Sequence, residues 1–435
     1  MRRLKARIYF PNYSVPPYSV RSVMPRHGRK ATRRILILSN ALSGGGAESV
    51  ARLMVQRLEG ASCVLFENNA RVEVSGRQIW VASRIHRGSL VVTLLANLWR
   101  LVVIQWVKLR LRPSVTISHL EGPNFVNMLT MLGGRKILFV HNRISESYPG
   151  GTFRERLKRR LARTLYHRAQ RVVGVSPGVC RELTKLFNVE HQKVLFAPNP
   201  IDRVAIYEAS AQEYGDYRDQ LVASNCLISI ASLTSQKNHE LMLRIYQNLV
   251  DGDPYFSDFK LIVLGEGELR NSLKHLCYEL GLSVFDSSND SYTGLEQVGF
   301  LGFQESPYRL LSQARLFLMT SRWEGLPIAL LEAMTLGVPA VISNCSEGIR
   351  EAWQVLDENV GAAEPELCRW TSFGALINGV SQDQTTIDVW TLAIKRLLKD
   401  DKLYARCSEA CGVRSEAYDI HRVVDIWEKE LLTSD

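Results

Sequence analysis

Short apolar runs recur along this chain, and each run is followed by a loop and by a stretch with the residue spacing of a helix. The runs cover residues 35–38, 63–66, 114–119, 136–141, 226–231, 259–264, 298–303, 316–319 and 339–342. Strands that are apolar throughout are buried on both faces, and strands that alternate with helices form parallel sheets with right-handed crossovers. The sequence therefore predicts an α/β fold with doubly wound parallel sheets, and 435 residues leave room for two such domains.

The strongest chemical signal lies in residues 320–333. They follow the apolar run 316–319, and Pro327 suits the first position of a helix. A loop between a strand and a helix lies at the carboxyl end of the sheet, where open α/β folds bind ligands. The free amides of Gly325 and Leu326 would bind a phosphate there. The helix dipole adds only about 0.3–1 kcal/mol per anionic charge, so it positions a diphosphate rather than holding it alone.

Two acidic residues, Glu324 and Glu332, flank this expected phosphate site. Carboxylates repel phosphates, so we expect both to accept hydrogen bonds from neutral hydroxyl groups instead. A nucleotide sugar carries both kinds of group, because it has a diphosphate and two rings with hydroxyls. On spacing alone, the alternative is an exposed helix start with one N-terminal acid and one solvated glutamate.

The spacing of Glu324 and Glu332, followed by Gly337-Val338-Pro339, resembles the E-x7-E signature of retaining GT-B glycosyltransferases of the family 4 type, the glycosyl transferases group 1. The resemblance covers residues 35–432 and is most specific in the second half of the chain. It implies the GT-B fold, in which two Rossmann-like domains face a cleft. It also implies a hexosyltransferase that uses a nucleotide-diphosphate sugar, which we expect to be a UDP-sugar.

The resemblance also divides the chain. The run Asn199-Pro200-Ile201-Asp202 is similar to the Asn-Pro-hydrophobic-Asp segment that connects the domains of the family. The expected parts are an acceptor-side domain over residues 35–203, a nucleotide-sugar-binding domain over 204–412 and a C-terminal segment over 413–435. We expect this last segment to form one helix, over residues 413–432, that crosses back to the first domain.

The family binds the donor diphosphate with an Arg and a Lys in the first loop of the second domain. Lys237 stands at the position of the Lys, whereas Ser232 stands at the position of the Arg. A serine hydroxyl can bond a phosphate but brings no charge. Arg322 and Arg350 are the candidates to replace the missing cation.

The remaining donor contacts are also implied by the resemblance. Glu332 would bond the ribose hydroxyls, Glu324 would bond hydroxyls of the transferred sugar, and Gly265 would line the donor site. The backbone around Phe300 would meet the base. Lys237 and the helix amides would stabilise the leaving diphosphate, so we expect no metal ion and no cofactor beyond the nucleotide-sugar co-substrate.

A glycine loop in the first domain, Gly44-Gly45-Gly46, lies between a strand and a helix and leaves amides free for a phosphate or a sugar. A dinucleotide-binding fingerprint is incomplete here, because its third glycine would fall at Ser49. The run that ends in Glu48 instead resembles the Gly-Gly-Ala-Glu loop of family 4 enzymes.

Two of the predicted strands end in a histidine, His119 and His141. A histidine at a strand end over a ligand crevice can hydrogen-bond a hydroxyl or a carbonyl oxygen. In the resembling enzymes a histidine at such a position touches the transferred sugar, and we rank His119 first and His141 second. The alternative is a loop histidine whose hydrogen bonds are made by backbone groups.

Two patterns that could indicate a metal site are weak. Asp251-Gly252-Asp253 has the D-x-D form of the other glycosyltransferase fold, but it follows a helix and precedes Pro254, which predicts a turn. The eight cysteines are scattered without the two paired ligand sets of a zinc site. They indicate free thiols in a reducing cytoplasm.

The net charge of +10 belongs to one end of the chain. Residues 1–34 hold ten Lys and Arg and no acid, and the remainder is neutral, so we expect no nucleic-acid partner. The same residues lack the apolar core of a signal peptide. We expect a disordered basic leader that takes no part in catalysis.

Two further helices bear on a membrane. A helix predicted over residues 153–171 carries eight cations, from Arg154 to Arg171, and one acid, and it could dock on an anionic membrane surface. Each cation could contribute about 1 kcal/mol there before screening by salt. This predicts a peripheral protein on the inner face of the cytoplasmic membrane; the alternative is a solvated helix face. Polar residues interrupt residues 90–111, which predicts a packed amphipathic helix rather than a membrane span.

Three functions remain open. The first is a retaining glycosyltransferase that adds a hexose or N-acetylhexosamine to a lipid-linked or polysaccharide acceptor. The second is a non-catalytic binder of sugar nucleotides or glycans on the same scaffold, which only Ser232 favours. A sugar-nucleotide epimerase is weaker, because it would need more carboxylates beside the sugar. The pair Glu324 and Glu332 together with Lys237 favours the transferase.

Overall fold

The computed structural model describes residues 34–42, 45–67, 78–82, 90–222, 225–288, 290–355 and 367–432. These residues form two sheets within one compact unit. The leader predicted over residues 1–34 lies outside the described residues apart from Arg34, and so does Gly44 of the glycine loop.

The first sheet is built from the N-terminal half of the chain. Its strands are β1 (Ile35–Ser39), β2 (Ala61–Leu65), β3 (Ile79–Val81), β4 (Val115–His119), β5 (Arg135–Val140), β6 (Arg171–Gly174) and β7 (Val194–Phe196). The helices of this half are α1 (Gly46–Arg57), α2 (Leu90–Leu111), α3 (Glu121–Leu129), α4 (Ile144–Ser147), α5 (Phe153–Leu165) and α6 (Pro177–Lys185). The strands are parallel and lie in the order β3-β2-β1-β4-β5-β6-β7.

The second sheet follows the same plan. Its strands are β8 (Cys226–Ile230), β9 (Lys260–Leu264), β10 (Val284–Asp286), β11 (Val298–Gly302), β12 (Leu316–Met319), β13 (Ala340–Ser343), β14 (Cys368–Thr371) and β15 (Gly374–Ile377). They lie in the order β10-β11-β9-β8-β12-β13-β15-β14, and only the edge strand β14 is antiparallel to its neighbour. The remaining helices are α7 (Arg203–Ser210), α8 (Tyr217–Val222), α9 (His239–Asp251), α10 (Arg270–Glu279), α11 (Tyr308–Gln313), α12 (Ile328–Thr335), α13 (Glu347–Ala352), α14 (Gln384–Lys399), α15 (Asp401–Ser415) and α16 (Ile420–Ile426).

Burial on both faces explains why the strands read as continuous apolar runs. In β1, Leu36 and Leu38 pack in one core cluster with Ile104 of α2, while Ile35 and Ile37 pack in a second cluster with residues of α1. Strand order changes direction beside β1 and again beside β8, and such switch points open a crevice at the carboxyl edge of a sheet. The predicted pair of doubly wound parallel sheets is confirmed.

The C-terminal segment returns to the first sheet, but as two helices rather than one. Ile420, Val423 and Trp427 pack in the same core cluster as Ile37 of β1. The prediction of a single helix over residues 413–432 is wrong, because α15 ends before a short 3-10 turn and α16 begins only after it. Asp419 starts the new helix by accepting a hydrogen bond from the backbone N–H of His421 at 2.9 Å.

The basic helix is also shorter than predicted. It begins with a capping box between Thr152 and Glu155, and it ends at Leu165; Arg171 already belongs to β6. Six cations and one acid remain within α5. Its apolar side packs only at its C-terminal end, since Leu165 is buried whereas Phe153 is 75% exposed.

Helix α2 matches the predicted residues 90–111, but the predicted amphipathic pattern is wrong, because its exposed side also carries large apolar side chains such as Trp99 and Val102. Ala96, Ile104 and Val107 are buried on its inner side. Among the described residues, no helix combines the length and the apolar character needed to cross a membrane.

Candidate active site

A cleft of about 950 Å³ separates the carboxyl edges of the two sheets. It is lined from the first half by the start of α1, His141 and Asn199, and from the second half by the loops that follow β8, β9 and β12. Strands of a parallel sheet all end at the same edge, so residues that are far apart in sequence meet here. The predicted residues that line this cleft are Gly45, Gly46, His141, Ser232, Lys237, Gly265, Glu324, Gly325, Leu326 and Glu332.

At the centre of the second-domain side, Lys237 and Glu324 form an ion pair. Lys237 Nζ lies 2.5 Å from Glu324 Oε1, and the Ser321 hydroxyl donates a hydrogen bond of 2.7 Å to the same oxygen. Glu324 is only 5% exposed, and its side chain reaches the cleft. Each member of the pair therefore neutralises the other in the free protein.

The loop that carries Glu324 is tied to the loop that carries Lys237. The Gln236 side chain donates a hydrogen bond of 2.8 Å to the Trp323 carbonyl, and Gln236 accepts one of 2.8 Å from the Arg322 N–H. These bonds run between loops after β8 and β12, which are neighbouring strands. The geometry of the ion pair is consequently set by backbone as well as by charge.

Arg322 and Arg350 do not replace the missing cation. The Arg322 guanidinium donates to the Ser235 carbonyl and to the Asn238 side chain, and Arg350 donates to Asn344. Neither arginine lines the cleft, whereas Ser232 does. The sequence neighbourhood was misleading, because the loop turns the Arg322 side chain back toward the loop after β8.

A different arginine lines the cleft from the opposite side. Arg52 lies on α1, partly exposed, and its charge favours the ionised form of Glu332. The sequence motifs did not identify Arg52, because it lies in the first domain, far in sequence from the motif that contains Glu332. Its one signal in the sequence is its position two turns into the helix that follows the glycine loop.

Glu332 lies half-buried in the cleft wall. The Tyr308 hydroxyl donates a hydrogen bond of 3.0 Å to Glu332 Oε1. Burial raises the pKa of Glu332 to about 7, although the Tyr308 bond and the Arg52 charge act in the opposite direction. The carboxyl group therefore changes its charge near neutral pH.

The two domains touch where α12 begins. The Asn199 side chain of the first domain donates a hydrogen bond of 2.7 Å to the Leu326 carbonyl. Within the second domain, the Ser346 hydroxyl donates one of 3.0 Å to the Gly325 carbonyl. A Cβ atom on Gly325 would lie well inside van der Waals contact of the His141 carbonyl oxygen. Close approach of two backbones thus requires glycine at position 325.

The two histidines form a pair, but only one reaches the cleft. His119 Nδ1 lies 3.0 Å from His141 Nε2, and the rings stack with centroids 5.3 Å apart. Burial lowers the pKa of both imidazoles, and that of His141 falls to about 3, so both are neutral. His119 is fully buried behind His141, so our ranking of His119 first does not match the structure.

Gly265 and Phe300 occupy very different places. Gly265 lines the cleft with a φ of 145°, and a side chain there would collide with the Ala231 carbonyl oxygen. Phe300 lies inside β11 and packs its ring in the core, so it does not line the cleft. Phe303 and Gln304 do so instead, because the strand ends at Gly302 and the loop after it turns toward the ligand side.

Neither metal pattern forms a metal site in the part of the chain that the structure describes. No group of three or more His, Cys, Asp or Glu in those ranges could hold an ion. Asp253 caps a short helical turn and pairs with Lys399 at 2.5 Å, which confirms the predicted turn.

Known proteins show the same architecture. The chain matches the family model Glycosyl transferases group 1 over residues 218–411 and the model Glycosyltransferase Family 4 over residues 44–204. Among solved structures, Anabaena Alr3699/HepE in complex with UDP and glucose aligns with a TM-score of 0.67 at 16% identity, covering 92% of this chain and 99% of that chain. Sucrose-phosphate synthase from Thermosynechococcus elongatus gives a TM-score of 0.70 at 13% identity, with coverages of 92% and 100%. These similarities confirm the predicted GT-B fold.

Two curated relatives are also informative. The N-acetylgalactosamine-N,N'-diacetylbacillosaminyl-diphospho-undecaprenol 4-alpha-N-acetylgalactosaminyltransferase of Campylobacter jejuni is 26% identical over 303 residues, which are 69% of this chain and 71% of that protein. The UDP-Gal:alpha-D-GlcNAc-diphosphoundecaprenol alpha-1,3-galactosyltransferase of Escherichia coli is 25% identical over 160 residues, which are 36% of this chain and 38% of that protein.

Proposed function

This chain belongs to the glycosyltransferases of group 1 and family 4, and from that premise we propose that it is a retaining transferase of cell-surface glycan synthesis. It moves a hexose or N-acetylhexosamine from a nucleotide-diphosphate sugar, most simply a UDP-sugar, to a lipid-linked or polysaccharide acceptor. The product would serve a lipopolysaccharide O-antigen, a capsule or an exopolysaccharide. The observation that carries the proposal is the ion pair of Lys237 and Glu324, which lines the same cleft as Glu332.

The charges of the cleft suit a departing diphosphate. When a donor enters, its phosphates compete with Glu324 for Lys237, and the released carboxylate can accept hydrogen bonds from hydroxyls of the sugar. The amides of Gly325 and Leu326 add positive potential at the start of α12. Positive groups that are fixed before the reaction stabilise the charge that develops on the leaving group.

His141 and the glycine loop face the same space from the first domain. A neutral imidazole can hydrogen-bond a sugar hydroxyl without adding charge. The acceptor hydroxyl would attack from the face that the diphosphate leaves, and a phosphate oxygen would take its proton. Attack on that face would retain the anomeric configuration, which is what the resemblance to retaining enzymes implies.

The proposal includes a lipid-linked acceptor and a peripheral position on the inner face of the cytoplasmic membrane. The two curated relatives act on undecaprenol-linked sugars by name. In this chain, the cations of α5 offer an electrostatic contact with an anionic leaflet. No metal ion is required, because Lys237, Arg52 and the amides of α12 supply the positive charge.

The proposal is tested by product mass. The protein is incubated with UDP- and GDP-sugars and with undecaprenyl-diphosphate-linked acceptors, with and without a chelator. We expect one donor and acceptor pair to yield a product one sugar heavier, equally in the chelator, and the variant Glu324→Gln to lose this product. Binding of a nucleotide sugar without transfer to any acceptor would instead support the non-catalytic binder that Ser232 favours.

Arg52→Ala should weaken donor use more than it slows turnover. Arg52 is the cation of the first domain that lines the cleft beside Glu332, so it can contact the donor before the chemical step. We expect KM for the donor to rise about tenfold, the cost of one charge-assisted hydrogen bond. Lys185→Ala, which removes an exposed cation of α6 in the same domain but outside the cleft, is the matched control. An unchanged KM would exclude a donor contact by Arg52.

Glu332 makes donor affinity depend on pH. Its pKa is raised to about 7 in the free protein, so the carboxylate that accepts the ribose hydroxyl bonds forms only as the pH rises through that value. We expect the donor Kd to decrease between about pH 6 and 8 in the wild type, whereas Glu332→Gln shows no such step. For unfolding the sign is opposite: a raised carboxyl pKa lowers stability as the pH rises from 4.5 toward 7. Titration calorimetry and thermal unfolding across this range measure both effects.

A further inference from the structure

Helix α2 is apolar on both sides, although only one side packs on the protein. Its outer side presents six large apolar side chains that are each half exposed or more: Leu95, Leu98, Trp99, Val102, Trp106 and Leu109. Their spacing of three, four and seven residues places them on one face, which we call the outer stripe. Contiguous exposed apolar patches mark sites of interaction with proteins or membranes, whereas apolar residues scattered singly over a surface are normal.

The apolar surface continues beyond α2. Leu129, Met131 and Leu132, in and after the end of α3, are all more than half exposed. The Met131 backbone N–H donates a hydrogen bond of 2.7 Å to the Gln105 side chain of α2, which holds this loop beside the outer stripe. The patch is thus formed by two segments rather than by one helix.

The charges around the stripe favour an anionic bilayer as its occupant. Residues 90–145 contain seven Lys and Arg; Lys108 is buried, whereas the other six are at least partly exposed, and the single acid of these residues, Glu121, is buried. The Arg110 guanidinium lies 5.7 Å from the Trp106 ring, so a cation borders the stripe directly. Helix α5 lies on the same side of the sheet, because α3 contacts both α2 and α5. A second copy docked on this face would bring two acid-poor, basic surfaces together, whereas anionic headgroups would neutralise them.

We propose that the outer stripe of α2 is a lipid-binding surface on which this chain lies against an anionic membrane. Trp99 and Trp106 would lie at the level of the headgroups, the position that tryptophan prefers at membranes, and the aliphatic side chains between them would enter the acyl boundary. This inference names the surface by which the chain would take the membrane position of the proposed function, and its biological role rests on that function. In the proposed function, α5 supplies the electrostatic attraction to the membrane. In the present inference, α2 supplies the apolar contact with it.

This orientation on the membrane would bring the cleft close to the lipid surface. Helix α2 connects the carboxyl end of β3 to the amino end of β4, so its first turns lie at the edge of the sheet that faces the cleft. A helix of this length extends about 33 Å along the membrane. A lipid-linked sugar would then reach the cleft beside the start of α2 without leaving the bilayer.

The test uses the full chain and vesicles of phosphatidylcholine with or without phosphatidylglycerol. We expect the wild type to sediment with the anionic vesicles, and Leu98→Glu/Val102→Glu to lower the partition coefficient at least about tenfold. Leu392→Glu, at an equally exposed position on α14 of the second domain, is the matched control and should bind as the wild type does. Brominated lipids should quench tryptophan fluorescence, and Trp99→Phe/Trp106→Phe should lose that quenching while it still sediments.

Three results would overturn the inference. Equal binding by Leu98→Glu/Val102→Glu would assign docking to α5 alone. Absence of wild-type binding would exclude a lipid surface, and a dimer that the same variant dissociates would make the stripe an interface between copies. Vesicle binding needs no donor or acceptor, so it stands apart from glycosyl transfer. A chain that binds vesicles but transfers no sugar would refute the proposed function and leave this inference intact.

Discussion

Replacing Lys237 by alanine is expected to lower kcat about 10²–10³-fold, the usual cost of removing one preorganised group that stabilises developing negative charge. Ser232 leaves the loop after β8 without the arginine expected there, and Arg322 is bonded to backbone and to Asn238. Lys237 is therefore the one cation of the second domain among the described residues that line the cleft. Single-turnover kinetics with saturating donor would separate this loss from a change in donor affinity.

The same substitution also strips Glu324 of its counter-ion. Glu324 is nearly buried, so an uncompensated carboxylate should cost up to about 3 kcal/mol of the free energy of unfolding, reduced by the bond that Ser321 still donates. The double variant Lys237→Ala/Glu324→Gln should recover that stability without recovering turnover. Lys395→Ala, a lysine of α14 outside the cleft, controls for loss of a cation elsewhere. Turnover of Lys237→Ala that falls only in proportion to its folded fraction would mean that Lys237 acts on the fold and not on the leaving group.

Sequence reasoning reached the second-domain side of the cleft because its signals are local. Glu324 and Glu332 are joined by one loop and one helix, so their spacing alone fixes them to the same sheet edge. Lys237 follows a neighbouring strand, and the parallel order of strands brings the two loops together. The alternation of apolar runs predicted both sheets for the same reason, since each strand is buried on two faces.

The site residues that the sequence did not predict correctly depend on contacts across the cleft or on the direction of the chain within a loop. Arg52 meets Glu332 only because the domains face each other, and no motif encodes that distance. His119 and His141 look equivalent as strand ends, yet the first lies behind the second. The side chain of Arg322 points away from the expected phosphate site because its guanidinium is hydrogen-bonded to the loop after β8, and the motif does not encode that direction.

Gly325→Ala should reduce kcat/KM at least about 10²-fold, although it adds a single methyl group, because displacements near 1 Å at a reacting centre have that effect. The methyl group would overlap the His141 carbonyl oxygen and approach Val175, so the start of α12 and the end of β5 must move apart. That movement displaces the amides of Gly325 and Leu326, which would hold the diphosphate, and His141 on the opposite wall.

Overpacking against a backbone atom costs at least the typical ~1–3 kcal/mol of stability, so thermal unfolding is measured beside the kinetics to show that the variant is folded. Gly348→Ala should act in the same direction, because its Cβ would overlap the Gly325 carbonyl oxygen from the other side. Gly412→Ala is the matched control: nothing lies within 4 Å of its added Cβ inside α15, and alanine there should leave activity intact and raise the melting temperature. If Gly325→Ala keeps full activity while Gly348→Ala loses it, close contact between the two domains at Gly325 is not what sets the geometry of the cleft.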